Sequence, residues 1–220
     1  MFFVPLHCNR KEKDMETRVN NNGFDYIDLG LPSGTLWATC NVGASKPTDG
    51  GLYFQWGDTK GYTKEQVGTG DGKKKFYWSD YKWNPSGDGK TFTKYATEGA
   101  TLELEDDAAN ANMGGDWHIP TDGQIGELLD NTTNTWTEQD YVKGRLFTSK
   151  KDNSKSIFIP VAGAAWFGLI LASGGYGGIW SSVLNTGNVN YGQCLYFSSR
   201  YIILHGDYRD YGFPVRGVIG

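Results

Sequence analysis

Residues 191–205, YGQCLYFSSRYIILH, alternate with a period of two, which is the spacing of β-strands. Leu195 and Phe197 alternate with Cys194, Tyr196 and Ser198, and Ile202 and Leu204 alternate with Tyr201, Ile203 and His205. The pattern predicts two strands whose apolar face builds a core, while the other face meets solvent or a ligand. Phe213 and Val215 continue the alternation after residues 206–212, whose Gly, Asp and Tyr content predicts a connecting loop.

The other face of these strands has an unusual composition. Five tyrosines stand there among small and polar residues: Tyr191, Tyr196, Tyr201, Tyr208 and Tyr211. Lys and Glu, which are common on solvated surfaces, are absent from residues 181–220, as are Met and Trp. A half-solvated sheet is the ordinary meaning of such alternation. Tyrosine, however, gives a large amphipathic contact area at a low entropy cost, so the composition favours a binding face.

The composition of the whole chain limits its class. At 220 residues it is long enough for one domain with a substantial core. Its 31 Gly, 13 Tyr and 8 Trp favour a loop-rich α+β fold of short antiparallel strands with two short helices. The net charge of −4 argues against a nucleic-acid partner, which a basic face would bind. The one basic run, Lys73–Lys75, predicts a solvated loop.

The first half of the chain predicts strands and one long loop. Residues 26–42 predict two short strands around the turn Pro32-Ser33-Gly34, where the folded domain begins. Residues 53–58, YFQWGD, predict an aromatic strand. Residues 59–98 form a region so long that aromatic side chains must pin it to the core. The candidates for this role are Trp78, Trp83 and Phe92.

Two short helices are predicted in the middle of the chain. The first covers residues 104–112 and begins with acidic residues, which suit a helix N-terminus. We favour this role for Asp106 and Asp107 over calcium binding, because no oxygen-ligand spacing surrounds them. The second helix starts at a capping box between Thr121 and Gln124 and runs to about Asn131.

Residues 156–172 are almost entirely apolar. The segment is too short to span a membrane, and Pro160, Gly163 and Gly168 would interrupt a helix there. We therefore expect no membrane span. The pattern predicts a buried strand over 157–161 and an apolar loop over 164–171.

Cysteine usage and the beginning of the chain give weaker signals. The three cysteines, Cys8, Cys40 and Cys194, have no metal-ligand spacing, and they leave a Cys8–Cys40 bridge open. We predict no metal site and no cofactor. Residues 1–22 predict a flexible arm, and the apolar residues 1–6 are too few for a signal peptide.

Seven blocks in order resemble the FISUMP family, a major paralogous domain of Bacteroidetes-type bacteria and their phages. The blocks are YIDLGLPSGTLWATCNVGA, YFQWGD, EDDAANANMGGDWHIPT, SIFIPVAG, IWSS, LYFSS and YGFPVRGV, within residues 24–218. The resemblance implies a single domain over 23–220 with the C-type-lectin-like fold of formylglycine-generating enzymes. The variable proteins of diversity-generating retroelements share that fold. Two departures are the apolar residues 164–171, which tend to be polar in relatives, and His118, where Arg is usual.

In those variable proteins, reverse-transcriptase errors at adenines rewrite selected C-terminal codons. Rewriting the first two bases of AAY codons cannot produce Lys, Glu, Gln, Met or Trp, and Gln193 is the single such residue in 181–220. The resemblance implies a variable ligand-binding region at 180–217. The variable positions are Tyr191, Gly192, Cys194, Tyr196, Ser198, Arg200, Tyr201, Ile203, His205, Gly206, Asp207, Tyr208, Asp210 and Tyr211. The constant positions are Trp180, Leu195, Phe197, Arg209, Phe213 and Arg216.

The function expected is therefore non-enzymatic binding of an unknown protein or glycan at a bacterial cell surface or on a phage virion. One alternative is an adhesin with a fixed glycan site, because glycan lectins also use Tyr and Trp platforms. A formylglycine-generating-type enzyme is less favoured, since that chemistry needs two neighbouring active-site cysteines and Cys194 stands alone.

Overall fold

The computed structural model describes residues 19–171 and 173–220 as a loop-rich α+β protein. Its first sheet has the strand order β1-β2-β3-β12, all antiparallel. The strands are β1 (Val19–Asn21), β2 (Phe24–Asp28), β3 (Leu36–Asn41) and β12 (Arg216–Ile219). The two strands predicted around Pro32-Ser33-Gly34 are confirmed as β2 and β3. Strand β1 shows that the last residues of the predicted arm join the sheet, whereas residues 1–18, including Cys8, lie outside the described part.

The C-terminal alternation forms a second sheet with the order β11-β10-β9. Its strands are β9 (Tyr176–Leu184), β10 (Tyr191–Ser198) and β11 (Ile202–Tyr208). The register of β10 and β11 is regular and pairs Leu195 with Leu204 and Phe197 with Ile202, so the apolar face is confirmed. The predicted loop over 206–212 is wrong at its start, because β11 continues to Tyr208.

Two further antiparallel sheets are formed by residues between β3 and β9 in the chain. One consists of β4 (Thr132–Gln139), β5 (Val142–Ser149) and β6 (Ser156–Pro160), and β6 confirms the buried strand predicted at 157–161. The sequence did not predict the β4–β5 hairpin. Its two-residue turn has positive φ at both positions, but Asp140-Tyr141 lacks the glycine that usually signals such a turn.

The apolar loop predicted over 164–171 is instead a short hairpin. Strands β7 (Ala164–Trp166) and β8 (Leu169–Leu171) pair around Phe167 and Gly168, both of which have positive φ. A Cβ at Gly168 would lie 2.7 Å from the backbone of Gly68, so glycine permits both the turn and the close approach of the long loop. The hairpin was not predicted because its first turn position is Phe167, and a residue other than glycine rarely has a positive φ.

Both predicted helices are present. Helix α1 (Ala108–Met113) follows a 3-10 turn at Leu104–Asp106, and the Asp107 carboxylate accepts the backbone N–H of Asn110 as its cap. Helix α2 (Asp122–Asn131) begins at the predicted capping box, in which the Thr121 hydroxyl and the Gln124 side chain each accept the other's backbone N–H. Among the described residues, no helix is long and apolar enough to cross a membrane.

The core lies on both sides of the second sheet. Leu195 and Phe197 pack with Ile125 and Leu128 of α2 on one side. On the other side, Cys194 packs in a cluster whose largest members are Trp56, Trp117, Trp180 and Phe213. Strand β10 therefore has no solvated face along its middle, contrary to the expectation from its sequence.

The region 59–98 is held to the core by aromatic residues, but mainly by others than those predicted. Phe76, Tyr81 and Tyr95 are buried, whereas Trp78, Trp83 and Phe92 are half-buried. The aromatic strand predicted at 53–58 is wrong, since Tyr53 and Phe54 make only isolated bridges. Lys74 is buried and not solvated, because its ammonium donates to Gln55 Oε1 (2.7 Å) and to the carbonyl of Asp80 (2.8 Å).

Candidate ligand-binding surface

The structure distributes the fourteen predicted positions over three levels of exposure. Five are exposed: Arg200, Tyr201, Ile203, His205 and Tyr208. Six are half-buried: Tyr191, Tyr196, Ser198, Gly206, Asp207 and Tyr211. Three are buried: Gly192, Cys194 and Asp210. The expectation that all fourteen lie on one outward face is therefore wrong at the three buried positions. It is also wrong at Tyr191, Gly206 and Tyr208, because the strand register places them on the face of Leu195 and Leu204.

Gly192 and Cys194 are buried for different physical reasons. A Cβ at Gly192 would lie 2.5 Å from the Trp56 ring, so the strand approaches this ring too closely for any side chain. The Cys194 thiol donates to the carbonyl of His205 (3.3 Å) inside the core, and burial raises the pKa of this thiol well above its usual value. Both residues face tryptophans that are distant in the sequence, which alternation along one strand cannot reveal.

A first group of rings, which we call the strand group, comprises Tyr176, Tyr196, Tyr201 and His205. The Tyr196 ring lies between those of Tyr176 and Tyr201, with centroid distances of 4.8 and 5.9 Å and stacked geometry at both contacts. His205 packs edge-on against Tyr196 at 5.8 Å. The strand register places these residues on one face, because Tyr196 pairs with Ile203 and Cys194 with His205. Tyr176 was not predicted, since it precedes the sequence alternation.

A second group, which we call the loop group, forms a continuous chain of rings. Its successive centroid distances are 4.7 Å for Tyr191–Tyr208, 5.6 Å for Tyr208–Tyr211, 5.6 Å for Tyr211–Trp166, 5.9 Å for Trp166–Phe167 and 5.3 Å for Phe167–Tyr77. Trp78 joins it at 6.1 Å from Tyr208. The loop group therefore extends the surface beyond the C-terminal segment.

Backbone contacts explain why residues so distant in sequence meet in the loop group. Ala165 and Gly212 exchange two backbone hydrogen bonds, of 2.7 and 2.8 Å, which place Trp166 beside Tyr211. The N–H groups of Phe167 and Gly168 donate to the carbonyls of Phe76 and Lys75, which brings Tyr77 to the same edge. Sequence reasoning missed these members, although the unusual apolar character of residues 164–171 was a signal for them.

Asp207 lies close to both groups. It pairs with Gly192 across the hairpin, and its Oδ1 accepts the backbone N–H of Tyr208 (2.8 Å). Burial raises the pKa of this carboxyl. Burial and then the charge of Asp207 raise the pKa of Tyr176, in the strand group, to about 12, and the same two causes raise that of Tyr211, in the loop group. The charge of Asp207 therefore acts on tyrosines of both groups.

Arg209 lies buried next to this surface and stabilises it. Its buried guanidinium donates to the Tyr81 hydroxyl (2.9 Å) and to the backbone carbonyls of Tyr95, Val189 and Lys94. It also lies 4.3 Å from the centroid of the Phe92 ring. One buried side chain thereby connects the end of β11 to the long loop.

Asp210 follows Arg209 and is the least satisfied buried group of the surface. Its side chain is 1% exposed, and neither carboxylate oxygen has a hydrogen-bond partner among the described residues. Burial, with the charges of Asp80 and Asp207 as smaller causes, raises the pKa of Asp210 to about 7. An uncompensated carboxylate in this position opposes folding at neutral pH.

The acidic residues near α1 do not form an open metal site. Within the described ranges, Glu103, Glu105 and Asp106 are the one carboxylate group close enough to share an ion. The Lys94 ammonium already occupies this position, at 2.6, 2.9 and 2.6 Å from the three carboxylates. Asp107 caps helix α1, as predicted for the acidic pair. The prediction is wrong for Asp106, which lies in the preceding 3-10 turn and pairs with Lys82 and Lys94.

No family model, curated protein or solved structure matches this chain.

Proposed function

We propose that this chain is a non-enzymatic ligand-binding protein with a C-type-lectin-like fold, whose surface around Asp207 contacts a protein or glycan partner outside the cell. In this proposal a retroelement diversifies the outward positions of β10, β11 and the loop that follows. The α+β architecture is compatible with that fold, and the seven sequence blocks suggest it.

The observation that carries the proposal is the presence of the two ring groups, in each of which neighbouring rings are in contact. Eleven aromatic side chains, including Tyr176 and Trp166, lie in these two groups. Tyr201, Tyr208 and Phe167 are among the most exposed large rings of the described residues. Partly exposed aromatic rings with polar tips are the side chains that dominate binding energy at protein interfaces.

The burial of Cys194 favours a binding function over a catalytic one. A formylglycine-generating-type reaction needs an accessible thiolate, whereas Cys194 is fully buried and its pKa is raised. This cysteine acts as a small core residue.

An adhesin with a fixed glycan site is the second candidate. It is favoured by one observation: Trp166, Phe167, Tyr77 and Trp78 belong to the loop group but lie outside the region 180–217. A surface built half from constant positions can hold a constant ligand.

The DNA beside the coding region distinguishes the two candidates. Diversification requires a near-copy of the codons for residues 180–217 whose mismatches fall at adenines, next to a reverse-transcriptase gene. Mismatches confined to the codons of exposed and half-buried positions, with Gly192 and Cys194 unchanged, would support the proposal. An intact flanking region with neither element would refute diversification and favour the fixed adhesin.

A further inference from the structure

Strand β4 lies at one end of the sheet β4-β5-β6, and no described strand pairs with its outer edge. We propose that this edge pairs with the same edge of a second copy of the chain. The two copies of β4 then form one continuous antiparallel sheet across a dimer. This surface differs from the ligand-binding surface, and the inference does not rest on the proposed function.

The hydrogen bonds of β5 show which backbone groups of β4 point outward. Val161 donates its N–H to the carbonyl of Lys143 (2.9 Å) on the side of β5 that faces β6. Lys143 therefore does not bond to Glu138, which lies opposite it in β4. Because bonded and non-bonded pairs alternate, Glu138, Trp136 and Asn134 direct their N–H and C=O groups away from β5. None of these groups has a hydrogen-bond partner among the described residues.

Strand β4 lacks the features that usually protect a sheet edge. Its sequence, TTNTWTEQ, contains no Pro, Lys or Gly, and its pairing with β5 keeps one register without a bulge. Glu138 is its one charged residue. Strand β11 is also an edge strand, but it contains Gly206, which weakens a strand. The outer edge of β9 is covered by other segments, because they accept the N–H groups of Trp180, Ser182 and Leu184. A long, regular edge with little charge is a template for another strand.

The open part of the edge has a centre that suits a two-fold axis. Thr132 is buried at the end of α2, where its hydroxyl donates to the carbonyl of Leu128. The open part therefore covers residues 134–138, and Trp136 is its middle. An antiparallel copy related by a two-fold axis at Trp136 places each outward N–H opposite an outward C=O.

The side chains of the edge are compatible with this pairing. In the register centred on Trp136, Glu138 lies opposite Asn134 of the second copy, so the two carboxylates do not oppose each other. Thr135 lies opposite Thr137 of the second copy, and cross-strand Thr pairs are favourable. A second copy of the chain is therefore the occupant that fits this edge. Because the open part is short, the dimer should be weak and should depend on concentration.

Sedimentation velocity of the full chain tests the association directly. Between about 5 and about 500 µM, the sedimentation coefficient should rise from the value of a monomer toward that of a dimer. A monomer at every concentration overturns the inference. The result does not affect the proposed ligand binding, which one copy of the chain can perform.

Opposite charges at Thr135 and Thr137 locate the interface. A variant with Lys at both positions and a variant with Glu at both positions should each associate at least about tenfold more weakly than the parent, because like charges meet across the two strands. An equimolar mixture of the two should associate at least as tightly as the parent. Such recovery is not expected of variants that are merely misfolded. A mixture that stays monomeric while the parent dimerises contradicts the pairing of β4.

Leu169→Lys is the control for the position of the added charge. Leu169 is an exposed apolar residue of the short strand β8, and the variant should dimerise like the parent. Loss of the dimer in Leu169→Lys, with the two β4 variants unaffected, would place the interface at β8 and overturn the assignment. All variants must retain the circular dichroism of the parent. If a double variant does not fold, Thr135→Lys mixed with Thr135→Glu provides the same test.

Discussion

Strands β10 and β11 show the same alternation in sequence but have different surroundings in the structure. In β10, neighbouring residues on opposite faces are equally buried, with Cys194 and Leu195 both 0% exposed. In β11, Ile203 is 44% exposed while its neighbours Ile202 and Leu204 are half-buried. The cause is position: β10 is the central strand, whereas β11 is the edge strand of this sheet.

The comparison teaches that alternation identifies two faces but does not tell whether the second face is open. The second face of β10 is covered by Trp56 and Trp180, which belong to other segments. On β11 the same face carries His205 and Asp207 and reaches the surface. The predicted positions that are exposed or half-buried are therefore concentrated on β11 and on the ends of β10.

The largest difference is expected between Phe197→Ala in β10 and Ile203→Ala in β11. Removing the fully buried Phe197 ring should lower the free energy of unfolding by about 3–5 kcal/mol, because it leaves a cavity. The exposed Ile203 side chain should contribute less than about 1 kcal/mol. Urea unfolding of both variants measures the difference, and equal losses would refute the distinction between the strands.

Asp210→Asn should remove the effect of the buried Asp210 carboxylate, which follows β11, on the stability of the protein. A carboxyl whose folded pKa is about 7 binds more protons folded than unfolded, so its contribution to stability falls as the pH rises from about 4 to 7. The stabilisation of Asp210→Asn over the parent should therefore be larger at pH 8 than at pH 5, by on the order of 2–3 kcal/mol. Denaturant melts at both pH values measure it. A pH-independent difference would mean that Asp210 is not the titrating group.

Gly192→Ala and Gly206→Ala compare two predicted variable glycines, one on each strand. In β10 the new methyl group meets the rigid, buried Trp56 ring, and overpacking of this kind costs about 1–3 kcal/mol. In β11 the nearest atom is the side-chain amide of Asn185 at 2.7 Å, which is the end of a flexible side chain. Thermal melts should show a clear loss for Gly192→Ala and a smaller one for Gly206→Ala. The reverse order would contradict the packing of β10 against Trp56.

Tyr208→Ser should have the smallest effect on stability and a large effect on binding. Its ring is exposed and contacts only partly buried rings at the surface, so the free energy of unfolding should change by less than about 1 kcal/mol. Affinity for the natural partner should fall by about 2 kcal/mol if this ring is one of the anchors. Tyr141→Ser is the matched control, since Tyr141 is 97% exposed and far along the chain in the β4–β5 turn. Equal affinity losses in both variants would place the binding surface elsewhere.

Local patterns in the sequence were sufficient for several elements. The capping box at Thr121 sets the start of α2, because it depends on residues three positions apart. The apolar alternation of Leu195, Phe197, Ile202 and Leu204 also depends only on nearby residues, and it matches the observed pairing of β10 with β11. The tyrosines of the C-terminal segment could also be named as candidates from composition alone.

The remaining features depend on contacts between distant segments. Trp56 closes the space beside Gly192 and Cys194, and the hydrogen bonds of Ala165 with Gly212 bring Trp166 to Tyr211. Whether a polar position is open, covered or left without a partner is decided by which other segment packs against it. The sequence by itself therefore determined the strands and their apolar face, and only the tertiary structure decided which residues of the opposite face reach the surface.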